Sequence, residues 1–119
     1  LLLTSSEVDR LAGSPGLSQA SENEPNDLRL RSWLSQQERR YRVILLQTDA
    51  TVTNWTRRCI RNADEIIYVA EADHTPIASA IVHEIHQTDF ANQTQRRRAV
   101  VLLHDDHVER PHNSLAWLT

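Results

Sequence analysis

The chain has 119 residues, 39% of them hydrophobic, and a formal charge of -3, which together fit one small globular domain. All 13 basic residues are arginine, so the chain cannot supply the lysine of a phosphate-binding loop, a Schiff base or a Ser-Lys pair. The negative charge gives no general attraction to nucleic acid, and no nucleic-acid partner is predicted.

The start of the sequence and its cysteine usage set further expectations. It opens on Leu1 and contains no methionine, from which we expect an internal segment of a longer polypeptide. Cys59 is the only cysteine, so no internal disulfide forms and the reducing cytoplasm is the expected compartment. No apolar run approaches the roughly 20 residues that a membrane-spanning helix requires.

Strands and helices alternate along the chain. Four apolar runs predict β-strands, over 1–3, 43–47, 65–70 and 99–103. The last three are rich in Val, Ile and Leu without polar alternation, as in parallel strands that are covered on both faces. Helices are predicted over 6–11, 26–40, 53–62, from Thr75 onward and over 113–118. The helix from Thr75 has the clearest start, with Thr75 as N-cap and Pro76 at the first helical position.

This alternation predicts the fold class. Strands joined through helices by short connections form right-handed βαβ units on a parallel sheet. The predicted fold is therefore α/β, a Rossmann-like three-layer domain over 1–119 with a mostly parallel sheet of about four strands. Residues 13–25 interrupt the pattern, and their Ser, Gly, Pro, Asn and Glu content predicts a mobile surface loop.

Polar residues follow three of the predicted strands. Asp49 and Thr51 come after the second strand, Asp73 after the third and His104 after the fourth. In open parallel sheets ligands bind at the carboxyl ends of the strands, so these four residues are a candidate rim for a small ligand or a metal. The ordinary alternative is that polar residues at strand ends cap the following helices.

Arginines on the predicted helix 53–62 form a second candidate site. Trp55 and Cys59 are expected to face the core, which would turn Arg57, Arg58 and Arg61 toward solvent. Arginine suits bidentate contacts with carboxylates or phosphates, so these three residues are a candidate docking face for a partner domain or a lipid headgroup. The alternative is a solvated face whose arginines pair with nearby acids.

Catalytic motifs are missing from the sequence. A nucleophile elbow needs glycines around its serine, and the only glycines, Gly13 and Gly16, have the wrong spacing. The pair His83 and His86 is one residue too close for the zinc motif H-E-x-x-H. Cys59 lies on an apolar stripe, where it is expected to pack. We therefore predict no catalytic residue, no metal and no cofactor.

Three segments carry a family resemblance: residues 33–38 (WLSQQE), 43–50 (VILLQTDA) and 55–64 (WTRRCIRNAD). They closely resemble the neuropathy target esterase family, patatin-like phospholipases with cyclic-nucleotide-binding domains upstream. The resemblance extends through 101–104 and 115–118, and the segment corresponds to the region between the cyclic-nucleotide-binding domains and the patatin domain. The patatin serine motif G-x-S-x-G is absent, so no catalytic residue is carried over.

A weaker resemblance links Asp49 and the strand over 65–70 to the ParA/MinD-type ATPases, in which such an aspartate serves the metal. The chain lacks the P-loop and any lysine, so the resemblance implies a structural descendant that does not hydrolyse nucleotide.

The sequence thus predicts a non-catalytic linking or regulatory domain of a patatin-like (lyso)phospholipase or esterase. Its partners would be the cyclic-nucleotide-binding and patatin domains of the same chain, on the cytoplasmic side, with the parent peripheral to or anchored in a membrane. The alternative is a regulatory domain that binds a small ligand or metal at the rim. The oligomeric state is left open.

Overall fold

The computed structural model describes residues 1–71, 80–93 and 95–103, and the chain divides into two compact units, Leu1–Ala63 and Asp64–Thr119. The first unit holds β1 (Leu2–Leu3), α1 (Ser5–Ala12), a 3-10 helix (Leu17–Gln19), α2 (Pro25–Arg40), β2 (Leu45–Leu46) and α3 (Asn54–Asn62). The second holds β3 (Glu65–Glu71), α4 (Ala80–Ala91) and β4 (Arg97–Leu103). Within the described ranges, no helix is both long and apolar enough to cross a membrane.

The strands are parallel, which confirms the α/β class. β1 pairs with β2, with Leu2 opposite Leu45, and β3 pairs with β4 along seven residues. In the described part of the chain these are two separate two-stranded sheets, where a sheet of about four strands was predicted. The predicted strand 43–47 is shorter in the structure, Leu45–Leu46, although the Gln47 amide still donates to the Leu3 carbonyl at 2.9 Å. The Gln47 carbonyl accepts from Trp55 Nε1 at 2.8 Å.

The core of the first unit lies between its sheet and its helices. Trp55 is fully buried on α3, and α3 begins at the N-cap Thr53, whose hydroxyl accepts from the Thr56 amide. The expected burial of Trp55 and Cys59 is confirmed. The core cluster comprises Leu3, Val8, Leu17, Ala20, Leu30, Leu34, Trp55 and Cys59.

The segment 13–25 contributes to this core. Leu17 is only 2% exposed, and the Asp9 carboxylate accepts from the amides of Gly16 (3.1 Å) and Ser18 (2.8 Å). Gly16 has φ 80°, a left-handed conformation that favours glycine. The expectation that the whole segment lies at the surface is therefore wrong for Leu17. A single leucine among polar residues has no hydrophobic periodicity around it, so the sequence pattern does not predict its burial. The mobility of the segment stays a prediction.

In the second unit a buried carboxylate joins α4 to β4. Asp89 is 6% exposed and accepts from Arg96 Nε (2.8 Å) and Arg98 Nη2 (2.5 Å). Burial acts to raise the pKa of Asp89, but its bonds to Arg98 and Arg96 outweigh that effect and lower the pKa. The predicted helix start at Thr75 and Pro76, and the helix over 113–118, lie outside the described residues.

Burial of Trp55 sets the first testable prediction. Trp55→Ala should lower the free energy of unfolding by about 3–5 kcal/mol, since it removes a large core side chain and leaves a cavity. The matched control is Leu28→Ala, because Leu28 on α2 is 62% exposed and its truncation creates no cavity. Urea unfolding followed by far-UV circular dichroism measures both. A loss below about 1 kcal/mol for Trp55→Ala would show that this face of α3 is not packed as described.

Candidate functional site

Of the two rim residues that the structure describes, Asp49, three residues after β2, accepts hydrogen bonds from three side chains. Its Oδ1 accepts from Ser5 Oγ at 2.6 Å. Its Oδ2 accepts from Gln19 Nε2 at 2.9 Å and from Thr53 Oγ1 at 2.6 Å. The backbone amide of Asp49 donates to Thr56 Oγ1 at 3.1 Å. We call these five residues the Asp49 cluster.

The Asp49 cluster joins three separate segments of the first unit. Ser5 opens α1, Gln19 ends the 3-10 helix, and Thr53 caps α3. Gln19 bonds α3 as well, because its Oε1 accepts from the Trp55 amide at 3.2 Å and its carbonyl accepts from Asn54 Nδ2 at 3.0 Å. One carboxylate thus holds α1, the 3-10 helix and α3 against the end of β2.

The hydrogen bonds of Asp49 also determine its ionisation. Partial burial acts to raise the pKa of this carboxyl, but the bonds from Ser5, Thr53 and Gln19 outweigh it and hold the pKa below its usual value. A carboxylate offers about four lone-pair sites, and three of them are used here. The group is therefore a charged structural acceptor with about one lone-pair site left.

Thr51 is the other rim residue within the described ranges. Its side chain is exposed, and its carbonyl accepts from Thr56 Oγ1 at 2.7 Å and from the Thr53 amide at 2.9 Å. Thr51 therefore shapes the turn into α3. Asp73 and His104 lie outside the described residues, so convergence of the four residues stays a prediction. Among the described residues, no group of three or more His, Cys, Asp or Glu side chains could hold a metal ion.

The predicted exposure of Arg58 is wrong. Arg58 is 3% exposed, and its Nη2 donates to an Asp27 carboxylate oxygen and to the Ala20 carbonyl (3.3 Å). The hydrogen bond from Arg58 lowers the pKa of Asp27, against the opposing effect of burial. The sequence did contain the signal: Arg58 stands three residues after Trp55, on the same side of a helix. The sequence-based prediction placed Arg58 at the surface only because arginine is a charged residue.

Arg57 and Arg61 are exposed, as expected, so two of the three predicted docking residues stay at the surface. Arg61 Nη1 lies 2.7 Å from Glu22 Oε1, and both side chains are accessible to water. This surface ion pair connects α3 to the segment 13–25. Exposed pairs of this kind contribute little to stability.

Cys59 packs in the core of the first unit, as expected. Its side chain is 3% exposed, and burial raises the pKa of the thiol to about 12. A thiol with that pKa holds almost no thiolate at neutral pH. His83 and His86 are both exposed on α4, and His86 Nδ1 lies 3.1 Å from Arg98 Nη1.

The buried ion pair yields a prediction on stability. Arg58→Ala should destabilise the chain far more than Arg57→Ala, because it leaves the Asp27 carboxylate without its buried cation. Replacing both partners together, Asp27→Leu with Arg58→Met, should recover much of that loss, since no unpaired charge remains. Urea unfolding of the wild type and these three variants measures the free energy of unfolding of each. Equal losses for the two single alanine variants would contradict the buried pair.

The pKa of Asp49 yields a prediction on pH dependence. A carboxyl with a lowered folded-state pKa stabilises the fold above its unfolded pKa, and this stability is lost as pH falls through the folded value. Because the ordinary value is 3.8, unfolding free energy should fall between about pH 5 and pH 3, and the fall should be shallower in Asp49→Asn. Urea unfolding across this range tests it. Glu38→Gln, at an exposed position on α2, is the control, and identical pH profiles for Asp49→Asn and wild type would refute the assignment.

Comparison with known proteins identifies a family model and several relatives that match the chain. A family model described as "Neuropathy Target Esterase family P-loop like domain" matches residues 2–119. The rat protein "Patatin-like phospholipase domain-containing protein 7" is 37% identical over 118 residues. The human protein "Patatin-like phospholipase domain-containing protein 6" is 34% identical over 118 residues. The Drosophila erecta protein "Neuropathy target esterase sws" is 37% identical over 119 residues.

In each of these alignments 99% of this chain is covered, whereas the chain spans only 8% of the relative's length. No solved structure matches the chain. Since the family model extends over all but the first residue, the chain belongs to the Neuropathy Target Esterase family, as its P-loop like domain.

Proposed function

We propose that this chain is a non-catalytic linking or regulatory domain of a patatin-like phospholipase or esterase. The observation that carries the proposal is the alignment: residues 2–119 form one family domain, yet they correspond to 8% of relatives named as patatin-like phospholipases. A module that small would act on an active site located elsewhere in the polypeptide. It would lie between the cyclic-nucleotide-binding domains and the patatin domain, on the cytoplasmic side of a peripheral or anchored enzyme.

The chemistry of the described residues supports a non-catalytic role. The chain has no lysine and no G-x-S-x-G motif, and its one thiol is buried with a raised pKa. The carboxylate best placed for metal chemistry, Asp49, is occupied by Ser5, Gln19 and Thr53. In the ParA/MinD-type ATPases that the chain resembles, such an aspartate serves the metal. Here the same position would serve packing, because hydroxyl and amide donors take the place of the cation.

The exposed arginines of α3 are the proposed contact surface of this domain. Arg57 and Arg61 lie on the side of the helix opposite Trp55, so a partner can reach them without disturbing the core. Guanidinium groups suit the carboxylates of a partner domain or the phosphates of a lipid headgroup. Arg58 is excluded from this surface because it is committed to Asp27.

A second candidate is a regulatory domain that binds a small ligand or metal at the rim of Asp49, Thr51, Asp73 and His104. What favours it is position, since Asp49 and Thr51 follow β2 at the carboxyl end of a parallel pair. What disfavours it is the occupied Asp49 carboxylate. Calorimetric titration with Mg-ATP distinguishes the two, because the linking role requires no nucleotide and a micromolar affinity would favour the rim.

The proposed function is tested in the full-length protein. In-frame deletion of this domain should leave hydrolysis of lysophosphatidylcholine in place but change its response to cyclic nucleotide, because the serine chemistry would lie elsewhere. Trp55→Ala, which disrupts the core, should reproduce the effect, and Leu28→Ala, at an exposed site, should not. An unchanged response after deletion would exclude a regulatory role. Serine-dependent turnover by the purified 119-residue chain would exclude a non-catalytic one.

A further inference from the structure

Residues 16–22, which we call the clasp, connect α1 to α3 within the first unit. At the start of the clasp, the Asp9 carboxylate of α1 accepts from the amides of Gly16 and Ser18, at 3.1 and 2.8 Å. The remaining amides up to position 20 each donate to a carbonyl three residues earlier in the chain. The consecutive amides of 16–20 are therefore all hydrogen-bonded, whereas a mobile loop leaves its amides to water.

Side chains of α3 hold the second half of the clasp. Two of them donate hydrogen bonds to it at 3.0 to 3.3 Å, and a third forms an ion pair with it at 2.7 Å. The contacts are those of Asn54 with Gln19 and Ser21, of Arg58 with Ala20, and of Arg61 with Glu22. Positions 54, 58 and 61 recur every three or four residues, so they share one side of the helix. The clasp therefore follows α3 over about two helical turns.

Gln19 bonds the centre of the clasp to both Asp49 and α3. Its Nε2 donates to Asp49 Oδ2 at 2.9 Å, and its Oε1 accepts from the Trp55 amide at 3.2 Å. That amide lies in the first turn of α3, where no carbonyl of the same helix can accept from it. The Gln19 side chain thus uses its donor end and its acceptor end at once. Both hydrogen bonds must break when the clasp moves away from α3.

We infer that the clasp is a conformational device that opens and closes as one unit, that Gln19 holds it shut, and that closure keeps Arg61 paired with Glu22. Consecutive residues of the clasp are bonded to the same two helices, so one of them cannot leave without disturbing its neighbours. Arg61 belongs to the proposed contact surface on α3, and the clasp would thereby set the charge that Arg61 offers to a partner. That last step rests on the proposed function, whereas opening as one unit does not.

Two observations favour a closed clasp over the freely mobile loop that the polar composition of 13–25 predicts. Leu17 belongs to the core cluster of the first unit, so complete release of the clasp would transfer a buried leucine to water. Gly16 adopts φ 80°, which directs the chain into the turn whose amides Asp9 binds. The closed state is therefore stabilised by apolar burial as well as by hydrogen bonds.

Hydrogen–deuterium exchange of the full-length wild-type protein tests the closed clasp without any substitution. We expect the amides of 16–20 to exchange at least about 100-fold more slowly than in an unstructured peptide of the same sequence. Their exchange rates should also rise together as urea is added below the unfolding transition, because the clasp opens as one unit. Mass spectrometry with fragmentation that resolves single amides measures both. Exchange at the peptide rate, or a different urea dependence for each amide, would overturn the inference.

Substitutions at Gln19 test what holds the clasp shut. Gln19→Ala removes both side-chain bonds and should speed exchange of 16–20 about ten-fold or more, since one of them is made to a charged group. Gln19→Glu keeps an acceptor for the Trp55 amide but sets a second carboxylate against Asp49, so it should open the clasp as well. Gln36→Ala, at an exposed position on α2, is the matched control and should leave exchange unchanged. Wild-type exchange in both Gln19 variants would contradict the role of this side chain.

Chemical labelling of Arg61 tests the link to the contact surface. Phenylglyoxal should modify Arg61 several-fold faster in Gln19→Ala than in wild type, because an open clasp removes Glu22 from the guanidinium. Glu22→Gln should raise the labelling rate similarly while the amides of 16–20 stay protected, since an exposed ion pair contributes little to stability. Equal labelling in wild type and Gln19→Ala would overturn the link. Exchange and labelling report opening and not hydrolysis, so their failure is distinguishable from failure of the regulatory role.

Discussion

A single carboxylate holds the first unit together. Asp49 lies three residues after β2, and its oxygens accept from α1, the 3-10 helix and the cap of α3. Each of these bonds is charge-assisted, and such bonds are stronger than those between neutral groups. These bonds connect α1, the 3-10 helix and α3 at the end of the sheet, and α3 carries Trp55 into the core.

The same arrangement bears on function within the Neuropathy Target Esterase family. Asp49 accepts hydrogen bonds from Ser5, Gln19 and Thr53, and the chain has no lysine to bind phosphate. The proposed role is therefore one of connection, exercised through surfaces. Arg57 and Arg61 on α3 lie outside the packed interior of the first unit.

Helix α3 carries both exposed and buried arginines. On α3, Arg57 and Arg61 point to water, whereas Arg58 falls on the side of Trp55 and pairs with Asp27 of α2. A buried ion pair is costly to desolvate and contributes less to stability than apolar packing of the same volume would. We interpret it as a device of specificity, because only one placement of α2 against α3 brings Asp27 to that guanidinium.

Some features of this protein follow from the amino-acid sequence alone. Apolar runs located all four strands, helix periodicity located α2 and α3 and the burial of Trp55 and Cys59, and local motifs identified the family. These features depend on short-range sequence, because apolar runs and the apolar faces of helices are formed by residues that lie close together in the chain. The tertiary structure decided the rest: the core position of Leu17, the partners of Asp49 and the pairing of Arg58 with Asp27. Ser5 and Asp49 are 44 residues apart, as Asp27 and Arg58 are 31 apart. Such partners are chosen by the path of the folded chain, which no local pattern encodes.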